Sequence, residues 1–473
     1  MANAGVHLLV YPFPGAGHII PFLDLTHRLL NRGLTVTVLV TPNNLHLLDQ
    51  LLSRHASSSL HPLVLPAPDP PAKFGLIPRM RALRELHYPL LLHWFHSHAS
   101  PPVTIISDFF LGWTLSLASE LGVPRFVFSP SGAFSISLNF LMCREPPRID
   151  DPDDVDHIVS FPGLPNSPEF PCHQITLMYR YLKDGDPEKE YYRDNWFANL
   201  KSWGFVLNTC SHLESIYIDH IKKEMGHDRV WAVGPLMVPD EDGDGDGAMD
   251  LRNRGGSSSV PCQELMAWLD AREYGSVVYV SFGSHQVLNR MQTDELAAGL
   301  EKSGVNFVWS VREPRDGQVG GDHGVIPVGF EDRVAGKGFL IKGWAPQVAI
   351  LKHRAVGAFL THCGWNSTLE GVAAGVVMLT WPMGADQFTN TKLLVDQWGI
   401  GIRVGESTHN IPDSRKLARV LVESLDASRP EKDRAKKLSE AALAAVKGGS
   451  SHKDLESLVK TVKELKAHSH YSG

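Results

Sequence analysis

Short runs of β-branched and other apolar residues, each closed by a Gly or Pro break and followed by a helical pattern, recur through both halves of this chain. Val6–Tyr11 meets Pro12-Phe13-Pro14-Gly15 and then an amphipathic stretch from Ile20 to Leu30. Leu34–Thr41, Val103–Ile106 and Arg125–Ser129 are runs of the same kind. The pattern restarts with Ser276–Phe282, Val305–Val311, Gly338–Ile341, Ala358–Thr361 and Val376–Trp381, with helical patterns such as Thr293–Lys302 and Thr391–Trp398 between them. Strands that are apolar throughout are buried on both faces, and strands separated by helices pair in parallel. The expected fold class is therefore α/β, as two Rossmann-like domains with parallel sheets.

At 473 residues the chain is long for one hydrophobic core and natural for two. Between the two series runs Pro239–Ala248, acidic and Gly-rich, then Gly255–Ser259; a segment with so little to bury reads as a linker. The expected division is an N-terminal domain over 1–238, a linker over 239–260, a C-terminal domain over 261–452, and a C-terminal helix and tail over 453–473. From Asp240 the linker matches the start of a calcium loop, but position 12 is Leu251 instead of a bidentate acid, so no metal site is expected. His93, His96 and His98 lack carboxylate or Cys partners at metal spacing; lining an acceptor pocket is the expectation for that stretch.

A net charge of -7 removes the electrostatic case for a nucleic-acid partner. Five cysteines, Cys143, Cys172, Cys210, Cys262 and Cys363, show no CxxC spacing and suit a reducing compartment. No stretch approaches the roughly 18 apolar residues of a bilayer span. A cytoplasmic monomer is the expectation.

The richest segment is Trp344–Gln387. Its strand Ala358–Thr361 runs into His362-Cys-Gly-Trp-Asn-Ser and then a helix, and a strand, Gly turn and helix N-terminus together bind phosphate through free N–H groups. Ser367-Thr-Leu-Glu370 fits a capping box, which predicts a helix start close to Ser367. The segment resembles the 44-residue signature box of plant secondary-product UDP-glycosyltransferases. The resemblance rests on Trp344-Ala345-Pro346-Gln347, His362–Ser367, Glu370, Trp381-Pro382 and Asp386-Gln387, and extends to Pro14-Gly15, Gly17-His18, Ser281–Ser284 and Phe307–Trp309.

That resemblance implies the GT-B fold, two facing Rossmann-like domains, and a UDP-sugar donor used as co-substrate with no further cofactor. Trp344 would stack on uracil, and Gln347 and Glu370 would bind the ribose. Ser284, His362, Asn366 and Ser367 would hold the diphosphate. Trp365, Asp386 and Gln387 would contact the sugar, with Ala345 and Gly364 in the same donor-contacting set. Gln387 at the end of the box implies glucose. The acceptor implied is a small lipophilic molecule, a phenol or flavonoid. Val377 stands where the family commonly has Pro, and Ala16 where Gln is common.

His18 follows the first strand and Asp108 ends another, so both are expected at the sheet edge where open parallel sheets bind ligands. An Asp that accepts from one imidazole nitrogen leaves the other to act as a base. Both positions match the family's catalytic dyad, which implies an inverting displacement. Three other readings compete. A dinucleotide-binding dehydrogenase needs Gly-x-Gly-x-x-Gly, and Gly15-Ala-Gly17 supplies only the first half. A nucleotide-sugar hydrolase or epimerase would share the phosphate chemistry without an apolar acceptor pocket. A non-catalytic binding protein would not require His18 and Asp108 together.

Overall fold

The computed structural model describes residues 5–68, 75–239, 254–312, 323–407 and 409–469. The Asp-rich run and the calcium-loop match, at 240–253, lie outside them. Packing divides the chain into two units, 1–249 with 444–473, and 250–443.

The first unit holds strands β1 (His7–Tyr11), β2 (Thr35–Val40), β3 (Leu60–Val64), β4 (Ile105–Asp108) and β5 (Arg125–Ser129). A small antiparallel pair, β6 (Ile158–Ser160) and β7 (Glu169–Pro171), precedes β8 (Gly204–Leu207) and β9 (Val230–Ala232). The sheet order is β3-β2-β1-β4-β5-β8-β9, parallel throughout. Residue alternation assigns two faces. Leu8, Val10, Val36, Val38 and Ile106 share one core with helices Ala16–Asn31 and Ser450–Ser469. Leu9, Tyr11, Leu39 and Ile105 share the other with helix Leu76–Ser97. Burial on both faces is why these strands carry apolar residues at every position.

The second unit repeats the plan with β10 (Val277–Ser281), β11 (Asn306–Val311), β12 (Gly338–Lys342), β13 (Val356–Thr361), β14 (Val377–Thr380) and β15 (Gly401–Arg403). Its parallel order is β12-β11-β10-β13-β14-β15. In each sheet the order reverses beside the first strand, between β1 and β4 and between β10 and β13. Such a reversal opens a crevice at the carboxyl ends of the strands. Both sequence-predicted sites follow those strands.

Two local expectations are corrected. The helix expected at Ser367 begins at Trp365 with Gly364 as its N-cap and no side-chain cap bond. The positive φ of Cys363 (65°) turns the chain sharply after β13, so the helix starts two residues earlier and Ser367 falls inside its first turn. The helical stretch Thr391–Trp398 is instead the end of helix Gln387–Lys392 followed by a π-helical turn, Leu393–Gln397.

Candidate active site

In the first unit, Gly15 begins the helix Ala16–Asn31, which places His18 in its first turn beyond β1. Asp108 ends β4 and is fully buried. One carboxylate oxygen accepts from the Phe110 backbone N–H (2.9 Å), fixing the turn Phe109–Leu111. The other accepts from His18 Nδ1 (2.7 Å). A carboxylate only accepts, so this bond holds the proton on Nδ1 and leaves the Nε2 lone pair available as a base. The imidazole is 21% exposed, and three rings stand around it: Phe13, Phe109 and Phe110, with centroids at 5.5, 5.6 and 5.1 Å. An aromatic wall beside an imidazole suits a flat apolar molecule presenting a hydroxyl.

Helix Leu76–Ser97 runs against the strand direction. Arg79 near its start donates to the Pro14 carbonyl (3.1 Å), His87 at its middle meets Tyr11, and Trp94 and His98 meet His7 at the start of β1. The expectation that His93–His98 lines an acceptor pocket is therefore corrected. Trp94 and His98 lie at the sheet edge opposite His18, and the end of the helix that reaches His18's edge carries Arg79. Among the described residues no three or more His, Cys, Asp or Glu side chains gather as a metal site.

In the second unit, His362 and Gly364 follow β13, and Gly283 and Ser284 follow β10. The His362 ring lies between the two glycines: a Cβ on Gly283 or on Gly364 would come within 2.6 Å of its Nε2. Gly283 also has φ +74°, a conformation open chiefly to glycine. Burial and then the charge of His285 draw His362 down to about 4, so it is a neutral imidazole at pH 7. Its Nδ1 is buried with no partner among the described residues. Buried polar atoms are rarely left unpaired, and a ligand is one way to pair them.

Gln347, Ser367 and Glu370 form one network. The Gln347 amide donates to Ser367 Oγ (2.9 Å) and to a Glu370 carboxylate oxygen (2.6 Å), and its carbonyl accepts from the Tyr279 hydroxyl (3.2 Å). The second Glu370 oxygen accepts from Arg254. The Ser259 N–H donates to the Trp344 carbonyl (2.8 Å), the Trp344 N–H donates to Ser259 Oγ (2.7 Å), and the Arg312 guanidinium stands over the Trp344 ring at 5.1 Å. Arg312 also donates to the Gly283 carbonyl (3.2 Å). Trp365 is buried at the first position of its helix, Asn366 follows it, and Ala345 precedes Gln347 in the turn after β12. Gln387 is buried, its carbonyl accepting from the N–H groups of Met383 and Gly384 (2.7 and 3.1 Å), and Asp386 stands at the N-cap position of its helix without a side-chain capping bond.

Arg254 and Arg312 were missed from the sequence. Arg312 carried a usable signal, since it follows the run Val305–Val311 at the same sheet edge as His362. Arg254 carried none, sitting beside the Gly/Ser stretch of the linker.

Residues 257–418 match the family model described as UDP-glucoronosyl and UDP-glucosyl transferase. The chain is 48% identical to flavonol 3-O-glucosyltransferase UGT89B1 of Arabidopsis thaliana, over 97% of this chain and 96% of that protein. It is 41% identical to a flavonol 7-O-rhamnosyltransferase of the same plant, over 96% and 97%. Among solved structures it resembles Arabidopsis thaliana UGT89C1 complexed with UDP-L-rhamnose (TM-score 0.78, 38% identity, 97% of this chain and 99% of that one). A quercetin complex of the same protein also matches (TM-score 0.76, 37% identity, the same coverage).

Proposed function

Because this chain belongs to the plant UDP-glycosyltransferase family and has its GT-B fold, we propose that it transfers glucose from UDP-glucose to a hydroxyl of a phenolic acceptor of the flavonol type. His18 is the general base of that reaction. The observation that carries the reading is the 2.7 Å hydrogen bond from His18 Nδ1 to the buried Asp108 carboxylate, with Nε2 left to the aromatic wall.

His18 Nε2 takes the acceptor's hydroxyl proton as the oxygen attacks the anomeric carbon. The bond from that carbon to the diphosphate oxygen breaks on the opposite face, and UDP leaves. One displacement inverts the anomeric centre. Asp108 stabilises the imidazolium that forms. On the donor side, Trp344 stacks on the uracil, and Gln347 and Glu370 take the ribose, which exchanges with Arg254 at one Glu370 oxygen. His362, Asn366, Ser367 and Ser284 hold the diphosphate, and Trp365, Asp386 and Gln387 face the sugar. Flavonol acceptors are supported by the activity named for the 48% identical relative and by the quercetin complex. Glucose is supported by the same relative and by Gln387; the 41% identical rhamnosyltransferase makes rhamnose the donor to test against it.

The test is His18→Ala assayed with UDP-glucose, UDP-rhamnose and a panel of flavonols. Transfer is expected to fall about 10²–10⁴-fold, the range a general base contributes, with UDP affinity unchanged. Near-normal transfer by His18→Ala sinks the base assignment, and faster wild-type turnover of UDP-rhamnose sinks the glucose assignment.

A further inference from the structure

Arg125 opens β5, level with Ile105 on β4, and its side chain is 1% exposed. Burying a guanidinium costs several kcal/mol unless its donors are satisfied, so an Arg in a sheet core has to be explained. All its partners are neutral. Nε donates to Ser107 Oγ (2.8 Å), and one terminal nitrogen donates to Asn199 Oδ1 (3.0 Å) and Ser202 Oγ (2.7 Å). The other terminal nitrogen donates to the backbone carbonyls of Asp108 (3.2 Å) and Leu111 (3.3 Å). These two carbonyls bracket the turn Phe109–Leu111, which carries two of the rings around His18. Asn199 and Asn195 add bonds to the Phe109 carbonyl (2.8 Å each).

We infer that Arg125 is a positioning residue for the His18–Asp108 pair, clamping the backbone that bears the Asp108 carboxylate and supplying the cation that balances its charge. The inference rests on the reading of His18 as base. Burial draws the guanidinium down to about 9 and the Asp108 charge opposes that pull, so Arg125 is a cation at neutral pH. Among the described residues, the charged groups placed near the pair are Arg125 from β5, bonded to the Asp108 carbonyl, and Arg79 from helix Leu76–Ser97, over the Phe13 ring at 5.2 Å. Only the first is changed by the test.

Arg125→Lys and Arg125→Gln are compared with wild type and His18→Ala, reading kcat, acceptor KM and the pH dependence of kcat/KM. If His18→Ala keeps transfer, the base reading fails, and this inference fails with it. If His18→Ala is inactive, Arg125 is judged separately. Arg125→Gln removes a cation beside the pair, which favours the protonated imidazole, so the acid limb of kcat/KM is expected to move to higher pH. Arg125→Lys keeps the charge but cannot span the three directions that the guanidinium fork reaches. Its limb is expected to stay in place while kcat falls about 10-fold or more with acceptor KM little changed. A folded Arg125→Gln with an unmoved limb overturns the inference, since a purely structural role would lower activity at every pH alike. If Arg125→Gln does not fold, Arg125→Lys decides: wild-type kcat overturns it.

Discussion

His7 and His362 are both drawn down to about 4, chiefly by burial, although they stand in different units. His7 bonds the Ser100 carbonyl and the Thr37 hydroxyl, both at 2.8 Å, at the N-terminal edge of the first sheet. An unfolded histidine takes its proton near 6.5. Between about 6.5 and 4 the unfolded chain therefore binds more protons than the folded one, and stability falls as pH drops through that window. Burial shifts His87 and His220 in the same direction. The melting temperature is expected to decline between pH 6.5 and 4, and His7→Gln to flatten that decline; scanning calorimetry over this range measures both. An unchanged slope in His7→Gln would remove His7 from the account. Asp108 at the end of β4, and His18 in the helix turn that follows β1, could be picked out of the sequence because a strand fixes which edge the residues at and just beyond its end reach. The bonds of Gln347 to Ser367 and Glu370 could not, since they join positions 20 and 23 residues apart. Ser367-Thr-Leu-Glu370 imitates a capping box, but both side chains are engaged by Gln347.

Among the elements, the junction of β13 with helix Trp365–Ala374 depends on having no side chain at Gly364. Alanine there would put a methyl 2.6 Å from the His362 ring and force the imidazole aside. Gly364→Ala is expected to weaken UDP binding by roughly tenfold, about 1.4 kcal/mol, while the β13 register survives. Titration calorimetry with UDP is the measurement, and an unchanged affinity would take His362 out of the proposed diphosphate site. The long central strands could be read from their unbroken Val, Ile, Leu and Phe content. β3, β8, β9 and β15 could not: β3 contains Pro62, tolerated because it lies at a sheet edge, and the others are only three or four residues long. Helix Arg290–Ser303 was legible over Thr293–Lys302, and its capping box, Asn289 with Gln292, is real.

For the whole molecule, the last helix belongs to the first unit. Leu455, Leu458, Val459 and Val462 lie in the same core as Leu8, Val36 and Trp231. Asp454 accepts from the Ala232 N–H (2.8 Å), Ser451 donates to the Gly234 carbonyl (2.6 Å), and Trp231 donates to Ser457 Oγ (3.2 Å). Deleting 450–473 removes four buried aliphatic side chains, whose burial is worth about 1.5–3 kcal/mol each, and uncovers the core face they pack on. The truncated chain is expected to melt earlier and to lose acceptor turnover before UDP binding, followed by thermal melting alongside UDP titration; simultaneous loss of both would contradict this.

The same helix separates the order of synthesis from the order of folding. The sheet made first on the ribosome waits for the final residues to cover it, so nascent chains must carry an unsealed apolar face through translation of the entire second unit. Exchange between relatives obeys the same geometry. A hybrid spliced once, near 250, would close its first sheet with a foreign helix. A hybrid spliced twice, near 250 and again near 444, would carry each unit over whole.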